Sequence, residues 1–240
     1  MLLMAQQPLK NKVKKGTVKI TFKNVVKGEQ LALHDVDYTN VFKEVYTVTK
    51  FKYYIGHTTL NTNVSTARSA DQDIYHLIDQ SKPESLSFSF DVAVNKYNSI
   101  SFQIGVDSIH NVSGAQTGAL DVINDMFWTW NSGYVMFKFE GNSPASTQVN
   151  NKIEYHVGGY SGENKTMRNI TLALPQNTLI DIRAGKTSEI IIEADIDKWW
   201  QQPYDIRITD NAVSMTPGPL AKRMADNYAK LFTVKAVENN

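Results

Sequence analysis

The sequence contains no cysteine. That absence excludes disulfides, thiolate nucleophiles, zinc–thiolate sites, iron–sulfur clusters and lipid attachment through a thiol. A metal would have to be held by histidine, methionine, carboxylate or a less usual donor. A surplus of charge is also lacking, since 25 basic and 24 acidic side chains leave a formal net charge of +1. Such a balance provides no overall field to gather nucleic acid or anionic lipid, and nucleic acid is rejected as a partner. The basic cluster from Lys10 to Lys19 reads as a solvated N-terminal segment. No apolar run is long enough to span a membrane as a helix. There is no GxSxG elbow, phosphate loop, GxGxxG after a strand or HExxH, which weakens an enzymatic reading.

What is present is strand-forming sequence. With 240 residues, 42% hydrophobic and 20% charged, the chain suits one large domain able to bury a core unaided. From Gly16 onward the periodicity is mostly two: Val18, Ile20 and Phe22 alternate with Lys19, Thr21 and Lys23, the mark of a half-buried strand. Further strands are expected at Val45–Gly56, Leu86–Val94, Ser99–Val106, Phe127–Phe139, Ile153–Val157, Ile170–Leu174 and Glu189–Ile196. Two stretches predict helices: a short one over Ile74–Asp79, and one over Leu220–Leu231 that follows Pro217-Gly218-Pro219. The expected fold is all-β, an antiparallel β-sandwich with a few short helices, one of them near the C-terminus. Residues 1–15 are expected to be a tail, its MLLMA start resembling the remnant of a signal peptide, and residues 16–240 a single domain.

Candidate chemistry is sparse. The nearest two of the five histidines are 19 residues apart, so an imidazole site would have to be assembled from different strands. His156 ends an alternating segment before Gly158-Gly159. His34 and His110 fall at expected strand-to-loop transitions, while His57 and His76 read as structural or surface residues. Trp128 and Trp130 stand two residues apart in MFWTWNSGYVMFKFEG, a spacing that puts both indoles on one face of an extended strand. Taken alone, the pair reads as core, as does Trp199-Trp200. Met126 and Met136 offer soft thioethers, for which core packing is the simpler reading.

The ordered segments KFKYYIG (from Lys50), IGVDSIHNVSGAQTGALD (from Ile104), MFWTWNSGYVMFKFEG (from Met126), EYHVGGYSGEN (from Glu154) and MADNYAKLF (from Met224) resemble the MbnP-like copper-binding proteins, in the form common in Bacteroidetes. The resemblance covers nearly the whole chain after Gly16. It implies a periplasmic or secreted β-sandwich that is not an enzyme and that binds copper, as Cu(I), for acquisition, buffering or handover. It also implies that one tryptophan is oxidised to kynurenine by an MbnH-type di-haem partner related to cytochrome c peroxidases, with an outer-membrane transporter as a further partner. Opening the indole would expose an aromatic amine that joins the histidines as a ligand, giving a largely neutral site without thiols. Carried over by motif, Trp128 and Trp130 are the modification candidates, His156 is the first imidazole, and His34 and His110 compete for the second. The chain departs from the family pattern D-P-x-x-G-M with Asp121-Val122-Ile123-Asn124-Asp125-Met126, losing the Pro and Gly that would fix a turn. The alternatives are a metal-free sandwich that binds a protein or glycan, and a hydrolase with an unfamiliar site.

Overall fold

A computed structural model describes residues 13–63, 66–68, 75–114, 116–129 and 132–240, with no account of the side chains of 66–68 and 129. Two sheets face each other. In the first, the strand Lys15–Val26 lies between Thr187–Asp195 on one side and Ser87–Ala93 and Glu29–Gln30 on the other, and Phe232–Glu238 closes one edge. In the second, the order runs Arg168–Ala173, Ser99–Ile104, Val45–Asn61, Gly133–Asn142, Lys152–Gly158 and Val213–Ser214. Pairing is antiparallel except where Lys15–Val26 meets Thr187–Asp195 and where Lys152–Gly158 meets Val213–Ser214. The all-β sandwich expected from the sequence is thus observed, with mixed rather than purely antiparallel sheets.

The alternation read from the sequence determines the faces. Val18, Ile20 and Phe22 are buried against Phe51, Tyr53, Phe137, Phe139, Tyr155 and Val157 of the opposing sheet. Aromatic contacts dominate: Tyr53 stacks on Phe137 at 5.2 Å between centroids, and Phe137 on Tyr228 at 4.9 Å. Trp199 and Trp200 are fully buried in this core, on a single turn at Ile196–Trp200. The C-terminal helix Pro219–Tyr228 begins at a proline, as expected, and buries Met224 and Tyr228. The expected helix over Ile74–Asp79 is not there. Tyr75–Asp79 is a strand paired with Lys52–Gly56, because tertiary pairing to the long strand overrides a weak local helical pattern. Ile74 lies outside the described residues.

The second sheet is covered on its outer face too. Residues 105–114 and 116–128 cross it and bury a smaller cluster of Tyr54, Tyr75, Val106, Leu120, Met126, Tyr134, Val135 and Met136. Beside that cluster, ion pairs pin the crossing segment to the sheet: the buried Lys138 holds the Asp125 carboxylate at 2.9 Å, and Lys50 reaches Asp125 at 3.4 Å and Glu140 at 3.2 Å. The altered turn is well formed, since Asp121 caps Val122–Asn124 by accepting from the Ile123 amide at 3.0 Å. Asp125 takes φ +60°, the left-handed region that glycine would favour and that Asp tolerates better than most residues.

Candidate functional site

The long strand Val45–Asn61 changes register between Gly56 and Thr59. At this bulge His57 adopts φ +51°, a conformation that costs a non-glycine residue on the order of 1 kcal/mol. Bulges re-aim side chains, and this one sends the His57 imidazole to Asp107, with Nε2 3.0 Å from Oδ2. Asp107 begins the short helix Ser108–Val112 as its N-cap. Its Oδ1 accepts from the His110 amide at 2.8 Å and lies 2.9 Å from His110 Nδ1. Tyr75 completes the group: its hydroxyl lies 2.8 Å from Asp107 Oδ2 and 2.9 Å from His57 Nε2, and its ring is 5.0 Å from that of His110.

Burial alone would raise the Asp107 carboxyl, but the His110 amide and imidazole, the Tyr75 hydroxyl and the His57 imidazole outweigh it and hold the group well below the usual carboxylate range. An ionised carboxylate is therefore shared by two imidazoles and a phenol. Burial raises the Tyr75 hydroxyl well above the ordinary phenol range, so it stays protonated. The Tyr75 ring lies across Gly56, where an added Cβ would come within 2.4 Å of its Cε1; the missing side chain makes room for the aromatic. His110 and Tyr75 line a cavity of about 290 Å³ together with Gln116, Thr117 and Leu120. Among the described residues no group of three or more His, Asp or Glu forms a ready-made metal cage. Two imidazoles with a carboxylate behind them are the kind of donors that borderline cations take.

The sequence-derived candidates separate. His110 belongs to this cluster. His156 sits on the outer face of the second sheet, its Nε2 2.8 Å from Glu140 Oε1 and its position paired with Lys138, which in turn pairs with Lys52. Five residues of strand separate that row from His57, roughly 16 Å. His34 is exposed, and its amide donates to Val48 O at 2.7 Å. That is nine residues from His57 along the same strand, roughly 30 Å. The structure therefore brings His110 together with His57, and neither with His156 or His34. Trp128 shares the face of His156: its ring lies on Gly158, where a Cβ would come within 2.6 Å of Cζ3. Its Nε1 is buried without a hydrogen-bond partner among the described residues. Trp130 lies outside the described residues. Met126 and Met136 are fully buried in the smaller cluster, and Met136 Sδ accepts from the Val106 amide at 3.1 Å.

Sequence reasoning missed His57 and Tyr75. Two local signals point to the cluster: a glycine directly before His57 in a strand, which marks a bulge or close approach, and Asp-x-x-His at 107–110, which has the spacing of a capping box. A serine hydrolase arrangement gains nothing here, because the Ser108 hydroxyl donates to Tyr160 O at 2.6 Å.

A mixed-sheet sandwich with a segment crossing its outer face matches one class of protein. The family model MbnP matches residues 15–217, and the chain belongs to that family. Among solved structures, MbnP from Methylosinus trichosporium superposes with a TM-score of 0.61 at 13% identity, over 94% of this chain and 99% of that one, which shows a shared fold. No curated protein matches.

Proposed function

We propose that this chain is an exported, non-enzymatic copper-binding protein that acquires, buffers or hands over Cu(I). Membership of the MbnP family supports the copper association. The observation that carries the reading is Asp107 held between His57 and His110 in a chain without cysteine. His57 and His110 would supply two neutral nitrogen donors. A third would be the aromatic amine of a kynurenine formed from Trp128 or Trp130 by an MbnH-type di-haem partner, this chain being the substrate of that step. Bound copper would supply a low-coordinate soft centre for transfer. The Asp107 carboxylate of this chain would orient both imidazoles. His156 and His34 are the rival imidazoles.

The test is titration of purified protein with Cu(I) and Cu(II) under controlled redox conditions, comparing wild type with His57→Ala, His110→Ala, His156→Ala and His34→Ala. Protein produced with its partner is expected to lose affinity in the first two variants and to keep it in the last two. Negligible binding by the wild type, or equal binding by all five, defeats the reading. Peptide mass spectrometry of native protein should show one carbon lost and one oxygen gained at Trp128 or Trp130.

One observation favours the metal-free interaction reading. Ile109, Val112, Val122 and Ile123 are 72%, 66%, 52% and 85% exposed on the crossing segment, and apolar groups left in water mark contact surfaces when they are contiguous. On that reading partner capture is insensitive to copper chelators; on the copper reading it depends on them.

A further inference from the structure

The hydrogen bonds around Asp107 fix more than the position of the two histidines. The Tyr75 oxygen accepts from the Asp107 amide at 3.1 Å and from Gln103 Nε2 at 3.4 Å. Its lone pairs are thereby occupied, and its single proton must point outward, to Asp107 Oδ2 at 2.8 Å or His57 Nε2 at 2.9 Å. Were it given to His57, the imidazole would turn a bare lone pair towards a carboxylate oxygen 3.0 Å away, which is repulsive. The proton therefore goes to Asp107, and His57 must carry its own hydrogen on Nε2. At the other oxygen His110 Nδ1 stands 2.9 Å from Oδ1, and only a protonated Nδ1 bonds there. The opposite nitrogens, His57 Nδ1 and His110 Nε2, meet no hydrogen-bond partner among the described residues.

We infer that Asp107 is a shared positioning residue: one carboxylate sets opposite tautomers in two histidines, Nε2–H in His57 and Nδ1–H in His110, and thereby presents His57 Nδ1 and His110 Nε2 as the donors. Its consequence for copper rests on the reading above; the tautomers themselves do not. A single acceptor that orders both donors removes the disorder that would otherwise be resolved on binding. Tyr75 fills the remaining acceptor capacity of Oδ2 and holds the carboxylate from the amide side. His110 is the telling residue, since Nδ1–H is ordinarily the minor form of a neutral imidazole.

The measurement is two-bond proton–nitrogen correlation NMR of the metal-free full chain at pH about 8, where a free imidazole is neutral. Wild type should show His57 protonated on Nε2 and His110 on Nδ1. Asp107→Asn keeps an N-cap oxygen for the His110 amide but turns one acceptor into a donor, so at least one of the two imidazoles should exchange tautomer. Tyr75→Phe leaves both acceptor oxygens and should leave both tautomers as they are. Mixed tautomers in wild type, or unchanged ones in Asp107→Asn, overturn the inference whatever copper does; if Asp107→Asn does not fold, the wild-type and Tyr75→Phe spectra still decide. With the tautomers as expected, Cu(I) affinity should fall about 10–100-fold in Asp107→Asn. Expected tautomers in a wild type that binds no copper uphold the positioning role and refute the copper reading alone.

Discussion

Gly56→Ala tests the cluster through sterics alone. Gly56 sits in regular strand pairing opposite Tyr75 and Gln103, so alanine introduces no backbone strain and only its Cβ matters. That atom would lie 2.4 Å from Tyr75 Cε1 and 2.6 Å from Cδ1. Ordinary contact begins near 3.5 Å, so the ring must retreat by about 1 Å, and its hydroxyl moves with it. The bonds at 2.8, 2.9 and 3.1 Å to Asp107 Oδ2, His57 Nε2 and the Asp107 amide would then stretch beyond useful length. Overpacking costs about 1–3 kcal/mol, and weakening a bond to an ionised group adds about 1 kcal/mol or more. The sum of about 2–4 kcal/mol corresponds to a fall in Tm of roughly 4–16 °C for a domain of this size. Thermal unfolding followed by circular dichroism measures it, and the same variant should bind Cu(I) more weakly. The control is the Tyr75→Ala background, where the clash disappears and Gly56→Ala should cost little. A fall below 2 °C, or an equal penalty with and without the tyrosine ring, refutes the reasoning.

The other perturbations are simpler. Gly158→Ala would press on Trp128 Cζ3 and Cη2 at 2.6 and 2.9 Å and on Tyr134 O at 2.9 Å, so tryptophan fluorescence should shift and stability fall by about 1–3 kcal/mol; an unchanged spectrum contradicts the placement of the ring. Val122→Pro should raise stability by about 0.4–1 kcal/mol, because Asp121 already holds φ −63°, ψ 136° as a residue before proline does; a lowered Tm shows that the turn is not as described. Lys138→Met leaves the Asp125 carboxylate to Lys50 alone, and amide exchange should quicken at Leu120 and Met126, while unchanged protection there argues against pinning by this pair. Glu44, Asp79, Asp107, Asp125 and Glu140 are each raised by burial but lowered overall by the donors and cations around them. A carboxyl whose folded pKa lies below its unfolded one contributes stability above the unfolded value of about 4, and that contribution is lost as the pH falls through the folded values. Tm should therefore drop on acidification below about pH 4, and a Tm that rises there reverses the sign.

The sandwich was legible because its strands bury one face each. Val18, Ile20 and Phe22 announce a period of two, and the structure buries those three while leaving Lys23 exposed. The strand Tyr75–Asp79 was not legible, since its pairing partners lie 19 to 27 residues away and only that pairing makes it extended. The parallel pairing of Lys15–Val26 with Thr187–Asp195 likewise joins segments some 170 residues apart, a separation on which local pattern carries no information. The tryptophan motif shows both sides. Its core-like aromatic spacing was visible, and Phe137 and Phe139 are indeed core, but Trp128 turns to the outer face because Gly158 leaves it a seat.

The cluster of His57, Tyr75, Asp107 and His110 is hidden for the same reason in sharper form. Its members come from three elements, and each residue has a bland local explanation: a strand end, an aromatic in a short pattern, an N-cap and a loop histidine. What joins them is a bulge that costs energy at His57 and a glycine that only the Tyr75 ring explains. His156 makes the contrast, since it stands in a regular strand, paired with Glu140 across the neighbouring strand within a network of lysines and carboxylates; that is how a sheet satisfies a buried imidazole. His57 and His34 both stand at left-handed backbone positions while His156 does not, so backbone geometry alone does not rank the histidines, and the four alanine variants supply the comparison.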